Sequence, residues 1–214
     1  MINENDFVLI NFVGRIAATG MIFDLTDKKV AEKENITGEY NFSPVLVIPG
    51  GNYALKAISD SVLGKDNGDK YQITVSPKEG FGDFDKNKIK TYGLAMFREN
   101  NINPSIGDMI MLDNKMATVL AINSGRVLVS YNHYLAGKEL KYDIEIISII
   151  EGVKEKISAI FEHYAGKKPE NVDVTGNDVR ITTKEDIKPY IKDSIAMDVQ
   201  KYINKDLKAD IIKD

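Results

Sequence analysis

The sequence predicts an α+β protein made of short strands and a few helices. Short apolar runs closed by glycine or proline are typical of strands, and elsewhere apolar residues repeat at helical spacing. The 214 residues are 43% hydrophobic and 28% charged, the balance of a globular protein. This length suits one medium domain or about two to three small ones.

Composition excludes several kinds of site. The chain has no cysteine, so disulfides, thiolate metal sites and a cysteine nucleophile are ruled out. It has only two histidines, His133 and His163, so a histidine-based metal site or catalytic triad has few residues to draw on. We therefore predict no metal and no cofactor. The net charge of -4 argues against a general nucleic-acid binder.

The chain also lacks sequence features of a membrane protein. No apolar run approaches the ~20 residues that a membrane-spanning helix needs. The acidic start, residues 1–6, differs from the basic and apolar regions of a signal peptide. We expect a cytoplasmic protein with no membrane partner.

The first part of the chain alternates strand patterns with turns. Strand-like runs occupy 7–13, 21–23, 45–48 and 71–75. Leu55, Ile58 and Val62 recur at helical spacing before Gly64, which predicts a short helix with a glycine C-cap. The polar run 28–39 is predicted to be a surface loop.

The pattern changes between about residues 86 and 131. A helix is predicted over 93–99, followed by three strands that two hairpin turns connect, at 108–112, 116–122 and 126–131. A unit of roughly 45 residues is marginal as a free domain. It is therefore expected to be anchored at both ends in another domain.

A third region follows the strand pattern of 140–150. A helical stripe ends at Gly166, and a Gly176-Asn177 turn separates two short strands. A long helix is predicted next, with Thr183 as its N-cap, and a final strand over 207–212.

Four segments in this order carry a family signature. They are Phe23-Asp24, the stretch from Leu55 to Asp69, Pro77 to Gly82, and Asn132 to Leu140 (NHYLAGKEL). Together they resemble the FKBP family of peptidyl-prolyl cis/trans isomerases, in particular its archaeal and SlyD-type members with a domain inserted in the flap. The resemblance covers residues 6–150.

The resemblance implies a domain organisation. An FKBP-like antiparallel sheet would wrap on a short helix in a domain formed by 1–85 and 132–150. A mostly β insert-in-flap chaperone domain would span 86–131. A small α+β domain, 151–214, would complete the chain.

The resemblance also implies the site. Phe23, Asp24, Phe81 and Tyr142 would be the catalytic residues, and Phe12, Ala54, Leu55 and Ile58 would bind substrate. Ile58 would form the floor of an apolar pocket and Leu55 a backbone edge that grips the substrate. The alternative is that these apolar residues are simply core.

Two departures from the family pattern affect this expectation. Ile58 stands where the family commonly has an aromatic residue or leucine, and Phe81 replaces a tyrosine whose hydroxyl would bind a substrate carbonyl. One lost hydrogen bond costs roughly 0.5–1.5 kcal/mol. We expect isomerase activity to survive and affinity for macrolide inhibitors to be poor.

The insert carries further candidate substrate contacts. They are Leu94, Met96, Phe97, Met109 and Met111. Flexible thioethers suit a surface that accepts many unfolded sequences, but the same residues could fill the small core of the insert. His133 is expected to brace the domain junction by hydrogen bonding rather than to act in catalysis.

The leading hypothesis is a folding enzyme that captures unfolded or nascent polypeptides and isomerises their X-Pro bonds. The main alternative is a holdase-type chaperone with a vestigial pocket, which the missing hydroxyl at Phe81 favours. A ribosome or transcription accessory is a third class, and the acidic net charge weighs against it. The C-terminal region could form a homodimer interface or a second chaperone surface.

Overall fold

The computed structural model describes residues 1–36 and 42–214. Within them the chain is mixed α+β, with three sheets whose strands pair mostly antiparallel and with few helices. The strands are β1 Phe7–Ile16, β2 Ile22–Leu25, β3 Val45–Val47, β4 Lys70–Val75, β5 Ile89–Gly93, β6 Met109–Leu112, β7 Lys115–Asn123, β8 Arg126–Ser130, β9 Leu140–Ile150, β10 Asn171–Thr175, β11 Asp178–Thr183 and β12 Lys208–Lys213. The helices are α1 Lys28–Lys33, α2 Lys56–Ser61, α3 Leu94–Glu99, α4 Val153–Ala165 and α5 Pro189–Tyr202, with a 3-10 turn at Lys86–Lys88.

The chain divides into two compact units. The larger unit consists of Met1–Arg15, Met21–Thr74 and Lys141–Asp214. The smaller unit consists of Ile16–Gly20 and Val75–Leu140. Each is described by itself below.

A five-stranded sheet organises the first part of the larger unit. Its order is β2-β1-β9-β4, and β3 pairs with β1. β1 pairs antiparallel with both β2 and β3, and in the first of these ladders Gly14 lies opposite Asp24. The register shifts directly after Gly14, because β2 has one extra residue there, Phe23, which marks a bulge in β2.

The short helix α2 follows β3 after a glycine-rich loop. Ile58 and Ser59 are its buried residues. The hydroxyl of Ser59 donates to the carbonyl of Ile48, at 3.3 Å, which ties the helix to the end of β3.

The C-terminal region shares one hydrophobic core with the first strands. Phe7, Leu46 and Ile48 of the N-terminal part pack with Phe161 of α4 and Ile195 of α5 in a single buried cluster. The sheet β10-β11-β12 lies in the same unit, and its β11–β12 pair is parallel. The stability of the first sheet is therefore linked to the C-terminal helices.

Two sequence predictions about helix positions are wrong. α5 begins at Pro189 rather than after Thr183, which ends β11 and is 2% exposed. Proline fits the first turn of a helix because no intrahelical partner needs its missing N–H. The polar run 28–39 was predicted to be a loop, but its residues 28–33 form helix α1. Asp27 caps this helix, because its side chain accepts the N–H of Lys29 at 2.8 Å. Residues 37–41 of that run lie outside the described residues.

The smaller unit contains the antiparallel sheet β5-β8-β7-β6. Phe97 of α3 packs on this sheet in a core with Val119, Val127 and Val129. The predicted hairpin turns are present, and Ser124 adopts the positive φ of 48° that such turns need.

Asn132 joins two chain segments of the smaller unit. Its side-chain amide donates to the carbonyl of Asp85 at 2.9 Å, and its Oδ1 accepts the N–H of Asp85 at 3.0 Å. Asn132 is 8% exposed. These bonds connect the residues that flank the predicted insert.

No helix in the described parts of the chain is long and apolar enough to cross a bilayer.

The shared core predicts the effect of deleting one large side chain. Phe161→Ala should lower the free energy of unfolding of the larger unit by about 3–5 kcal/mol, because Phe161 is fully buried. Tyr190→Ala is the control, since Tyr190 is 63% exposed and its loss should cost no more than about 0.5 kcal/mol.

Denaturant unfolding, followed by hydrogen exchange in β1 and β3, measures both variants. If Phe161→Ala loosens only the C-terminal helices and leaves the amides of β1 and β3 protected, the two parts do not share a core.

Candidate active site

Three aromatic rings of the larger unit form a cluster on the first sheet. The ring of Tyr142 lies 5.8 Å from that of Phe12, tilted by 60°, and 5.7 Å from that of Phe23, tilted by 88°. Both are edge-to-face arrangements, which aromatic pairs favour. Tyr142 is 3% exposed and the two phenylalanines are half-buried, so the cluster presents an apolar surface with a buried base.

Gly14 permits this close packing. A Cβ atom at this position would lie 2.7 Å from Cζ of Phe23 and 3.1 Å from Cε1 of Tyr142. The two rings therefore occupy the space that the side chain of any other residue type at position 14 would fill. Gly14 directly follows the predicted strand 7–13, and no periodic pattern in the sequence signals such a contact.

Asp24 stands next to Phe23 on β2. Although the residue as a whole is exposed, desolvation of its carboxyl group raises its pKa, and the backbone N–H of Leu25 partly offsets this. The site thus holds one carboxyl group that folding has partly removed from water.

The loop before α2 carries the predicted substrate-binding residues Ala54 and Leu55, both half-buried. The carbonyl of Leu55 accepts the N–H groups of Ile58 and Ser59, each at 2.9 Å. The N–H of Leu55 makes no hydrogen bond within residues 1–36 and 42–214. Ile58 is 4% exposed and belongs to the protein interior, and its role as the floor of the pocket stays a prediction.

Phe81 belongs to the smaller unit. Its ring stacks on that of His133 at 4.4 Å, with the planes 5° apart. Nδ1 of His133 accepts the N–H of Leu135 at 3.2 Å. His133 therefore supports Phe81 by stacking, and the hydrogen bonds expected from His133 between chain segments are made by Asn132 instead. The place of Phe81 in the pocket stays a prediction.

The candidate contacts in the insert fall into two groups. Phe97 is fully buried in the core of the smaller unit, and its role as a substrate contact stays a prediction. Leu94 and Met96 are partly buried against the same core. Met109 and Met111, by contrast, are 63% and 58% exposed.

Met116 belongs with this exposed pair. It lies directly opposite Met111 in the β6–β7 ladder and is 50% exposed. Residues two apart on a strand share a face, so Met109 lies on the same face as Met111 and Met116. We call these three residues the methionine patch.

Among the residues described, no three or more histidine, aspartate or glutamate side chains come together as metal ligands.

Comparison with known proteins agrees with this geometry. The family described as FKBP26, IF domain matches residues 94–135. A short-type peptidyl-prolyl cis-trans isomerase of Methanocaldococcus jannaschii is 26% identical over 147 residues, which cover 68% of this chain and 92% of that protein. These similarities support an FKBP-type peptidyl-prolyl cis-trans isomerase with an insert in the flap.

Bacterial members of the family are also similar. The FKBP-type isomerase SlyD of Haemophilus influenzae is 27% identical over 119 residues, 54% of this chain and 62% of that protein. SlyD of Aeromonas hydrophila is 22% identical over 158 residues, 72% of each chain. The chain thus spans less than two thirds of the length of the Haemophilus relative.

The contact at Gly14 gives a first test of the site. Gly14→Ala should displace the rings of Phe23 and Tyr142 while the fold persists, because a ring edge can move by rotation. Aromatic side-chain NMR shifts of both residues should change. Gly93→Ala is the control, since a Cβ there meets nothing within 4 Å. Unchanged Phe23 and Tyr142 signals in Gly14→Ala would contradict the close packing.

The pKa of Asp24 gives a second test. Because folding raises this pKa, the folded chain holds a proton that the unfolded chain releases, and stability falls as pH rises from the unfolded pKa through the folded one. Asp24→Asn removes this loss. Its Tm should exceed that of the wild type near pH 7, and the difference should shrink below about pH 3.9.

Thermal unfolding of both proteins across this pH range measures the effect. An asparagine variant that is less stable than the wild type at neutral pH would show that folding favours the carboxylate, which is incompatible with a raised pKa at Asp24.

Proposed function

We propose that this protein catalyses cis/trans isomerisation of X-Pro bonds in unfolded or nascent polypeptides and holds those chains through its insert. The observation that carries the proposal is the cluster of Phe12, Phe23 and Tyr142 packed on Gly14. Asp24, which follows Phe23 on β2, is the proposed carboxyl group of the site. The similar proteins described above are named as peptidyl-prolyl cis-trans isomerases, which supports the proposal.

The reaction suits an apolar site without a nucleophile. Rotation about the X-Pro bond faces a barrier of roughly 18–20 kcal/mol, because the amide loses its conjugation. A twisted amide is less polar than a planar one, so a dry apolar pocket favours it over the ground state. Each 1.36 kcal/mol of this preference is worth about a tenfold rate increase.

The geometry suggests a role for each residue. The rings of Phe12, Phe23 and Tyr142 hold the prolyl ring, and Ile58 forms the floor. Since the carbonyl of Leu55 is engaged by α2, its N–H is the group that can donate to a substrate carbonyl. Asp24 lies at the rim, where its carboxyl group orients the amide.

Phe81 is expected to bind substrate less well than the tyrosine of the family pattern. Without a hydroxyl it cannot donate to the substrate, which costs about two- to thirteenfold for one hydrogen bond of 0.5–1.5 kcal/mol. Stacked on His133, the ring is nevertheless held in one orientation and can offer an apolar face.

The methionine patch is the proposed client-binding surface. Met109, Met111 and Met116 expose flexible, polarisable side chains on one face of the insert sheet. Such side chains adapt to many apolar sequences. A client held by the patch would stay bound to the protein while its X-Pro bonds are isomerised.

The proposal includes the domain organisation predicted from the sequence. The FKBP-like domain would be 1–85 with 132–150, the insert 86–131 and the C-terminal domain 151–214. A cytoplasmic location and a homodimer through the C-terminal domain remain predictions. Ala54 remains a predicted substrate contact.

The second candidate is a holdase with little isomerase activity, which the missing hydroxyl of Phe81 favours. It differs from the main proposal in one measurable respect, because it predicts suppression of aggregation without catalysis of prolyl exchange.

Two variants distinguish the activity of the proposed pocket from that of the methionine patch. Phe23→Ala should lower the rate of prolyl exchange in a short peptide at least tenfold and leave suppression of aggregation intact. Replacing Met109, Met111 and Met116 together by serine should do the reverse. Exchange NMR on the peptide and light scattering of an aggregating client measure the two activities.

Met197→Ser is the matched control for the patch, since Met197 is 68% exposed and lies on α5. A wild-type protein that suppresses aggregation and shows no peptide exchange would establish the holdase. Equal loss of both activities in Phe23→Ala would mean that pocket and patch are not separate sites.

A further inference from the structure

The loop that carries Leu55 is poorly fixed by its own sequence. Between β3 and α2 it contains Gly50 and Gly51, and Gly50 adopts a φ of 82° that other residues rarely take. Leu55 is the N-cap residue of α2, and no side chain caps this end of the helix. The position of the Leu55 N–H therefore needs support from elsewhere in the fold.

The support comes from the C-terminal helices. The phenol of Tyr53, two residues before Leu55, donates to Oδ2 of Asp198 on α5 at 2.5 Å. The two residues are 145 positions apart in the chain. Tyr53 is also within 5.8 Å of the ring of Tyr202 and 4.5 Å of the ring of His163, measured between centroids.

Gly51 lies close to a second residue of α5, Tyr202. A Cβ on Gly51 would lie 2.9 Å from the phenol oxygen of Tyr202, the last residue of α5. The loop thus meets α5 at two points, Gly51 and Tyr53. Both contacts lie inside the larger unit.

The raised pKa of Tyr53 favours the hydrogen bond from its phenol to Asp198. Desolvation, followed by the hydrogen bond to Asp198, raises the pKa of Tyr53 far above its ordinary value. The phenol therefore stays protonated and remains a donor to the carboxylate. A bond to a charged acceptor is stronger than one between neutral groups.

We propose that the C-terminal domain positions the substrate-binding loop, with Asp198 acting through Tyr53 to place the Leu55 N–H. Asp198 and Tyr53 are positioning residues and touch no reacting atom. The inference rests on the proposed isomerase function. It assigns the C-terminal helices a part in substrate binding in addition to their part in the core.

The same carboxylate provides a matched control. The phenol of Tyr164 on α4 also donates to Oδ2 of Asp198, at 2.7 Å. Desolvation and this bond raise the pKa of Tyr164 to about 12. Tyr164 lies outside the loop, so Tyr164→Phe removes a similar hydrogen bond from Asp198 without releasing Leu55.

Peptide exchange kinetics of the full chain compare the two variants. Tyr53→Phe should lower kcat/KM for a proline tetrapeptide about three- to tenfold, mainly through KM, as expected for a misplaced hydrogen-bond donor. Tyr164→Phe should stay within about twofold of the wild type. Equal losses in both variants would show that the contact is merely structural, and an unchanged Tyr53→Phe would also overturn the proposal.

A readout independent of catalysis keeps the two proposals distinguishable. The N–H groups of Ile58 and Ser59 bond to the carbonyl of Leu55, so they should exchange with solvent several-fold faster in Tyr53→Phe than in Tyr164→Phe. If the wild type shows no peptide exchange, the isomerase proposal fails while these amides still test the positioning. Equal exchange in the two variants refutes the positioning whatever the catalytic result.

Discussion

The rings of Phe23 and Tyr142 reach the backbone of β1 because Gly14 has no Cβ, and the proposed site depends on that contact. With a side chain at position 14, the rings would have to move apart and the apolar surface would lose its shape. In the proposed function, the edge-to-face packing of these three aromatic rings sets where a prolyl ring would lie. Asp24 pairs with Gly14 across the same ladder, so one pair of strands carries both the glycine and the carboxyl group of the proposed site.

The C-terminal region contributes to this site through packing. Phe161 and Ile195 cover Phe7, Leu46 and Ile48, which stabilises the strands that lead into the loop before α2. Tyr53 then links this loop directly to Asp198. A region whose sequence has no recognisable functional motif is in this way connected to the residues proposed to bind substrate. We propose that this region positions Leu55, in addition to contributing residues to the shared core.

Sequence patterns predicted the parts of the structure that depend on local order. The helix around Ile58, the hairpins of the insert and the glycine end of α4 follow from spacing and turn residues. The missed features depend on contacts between distant residues: Gly14 with Tyr142, and Tyr53 with Asp198. Apolar spacing cannot separate a core residue from a binding residue, and Phe97, predicted to contact substrate, lies in the core of the insert. Two features had a local signal in the sequence, namely Asp27 before α1 and Pro189 at the start of α5.

A proline ring that enters the cluster formed by Phe12, Phe23 and Tyr142 is the central requirement of the proposed function. Intermolecular NOEs between a bound proline peptide and this protein test it most directly. We predict NOEs from the prolyl ring protons to the aromatic protons of Phe23 and Tyr142, together with exchange between the cis and trans peptide signals. Exchange catalysis with NOEs confined to other residues would contradict this requirement, and would place the active site elsewhere.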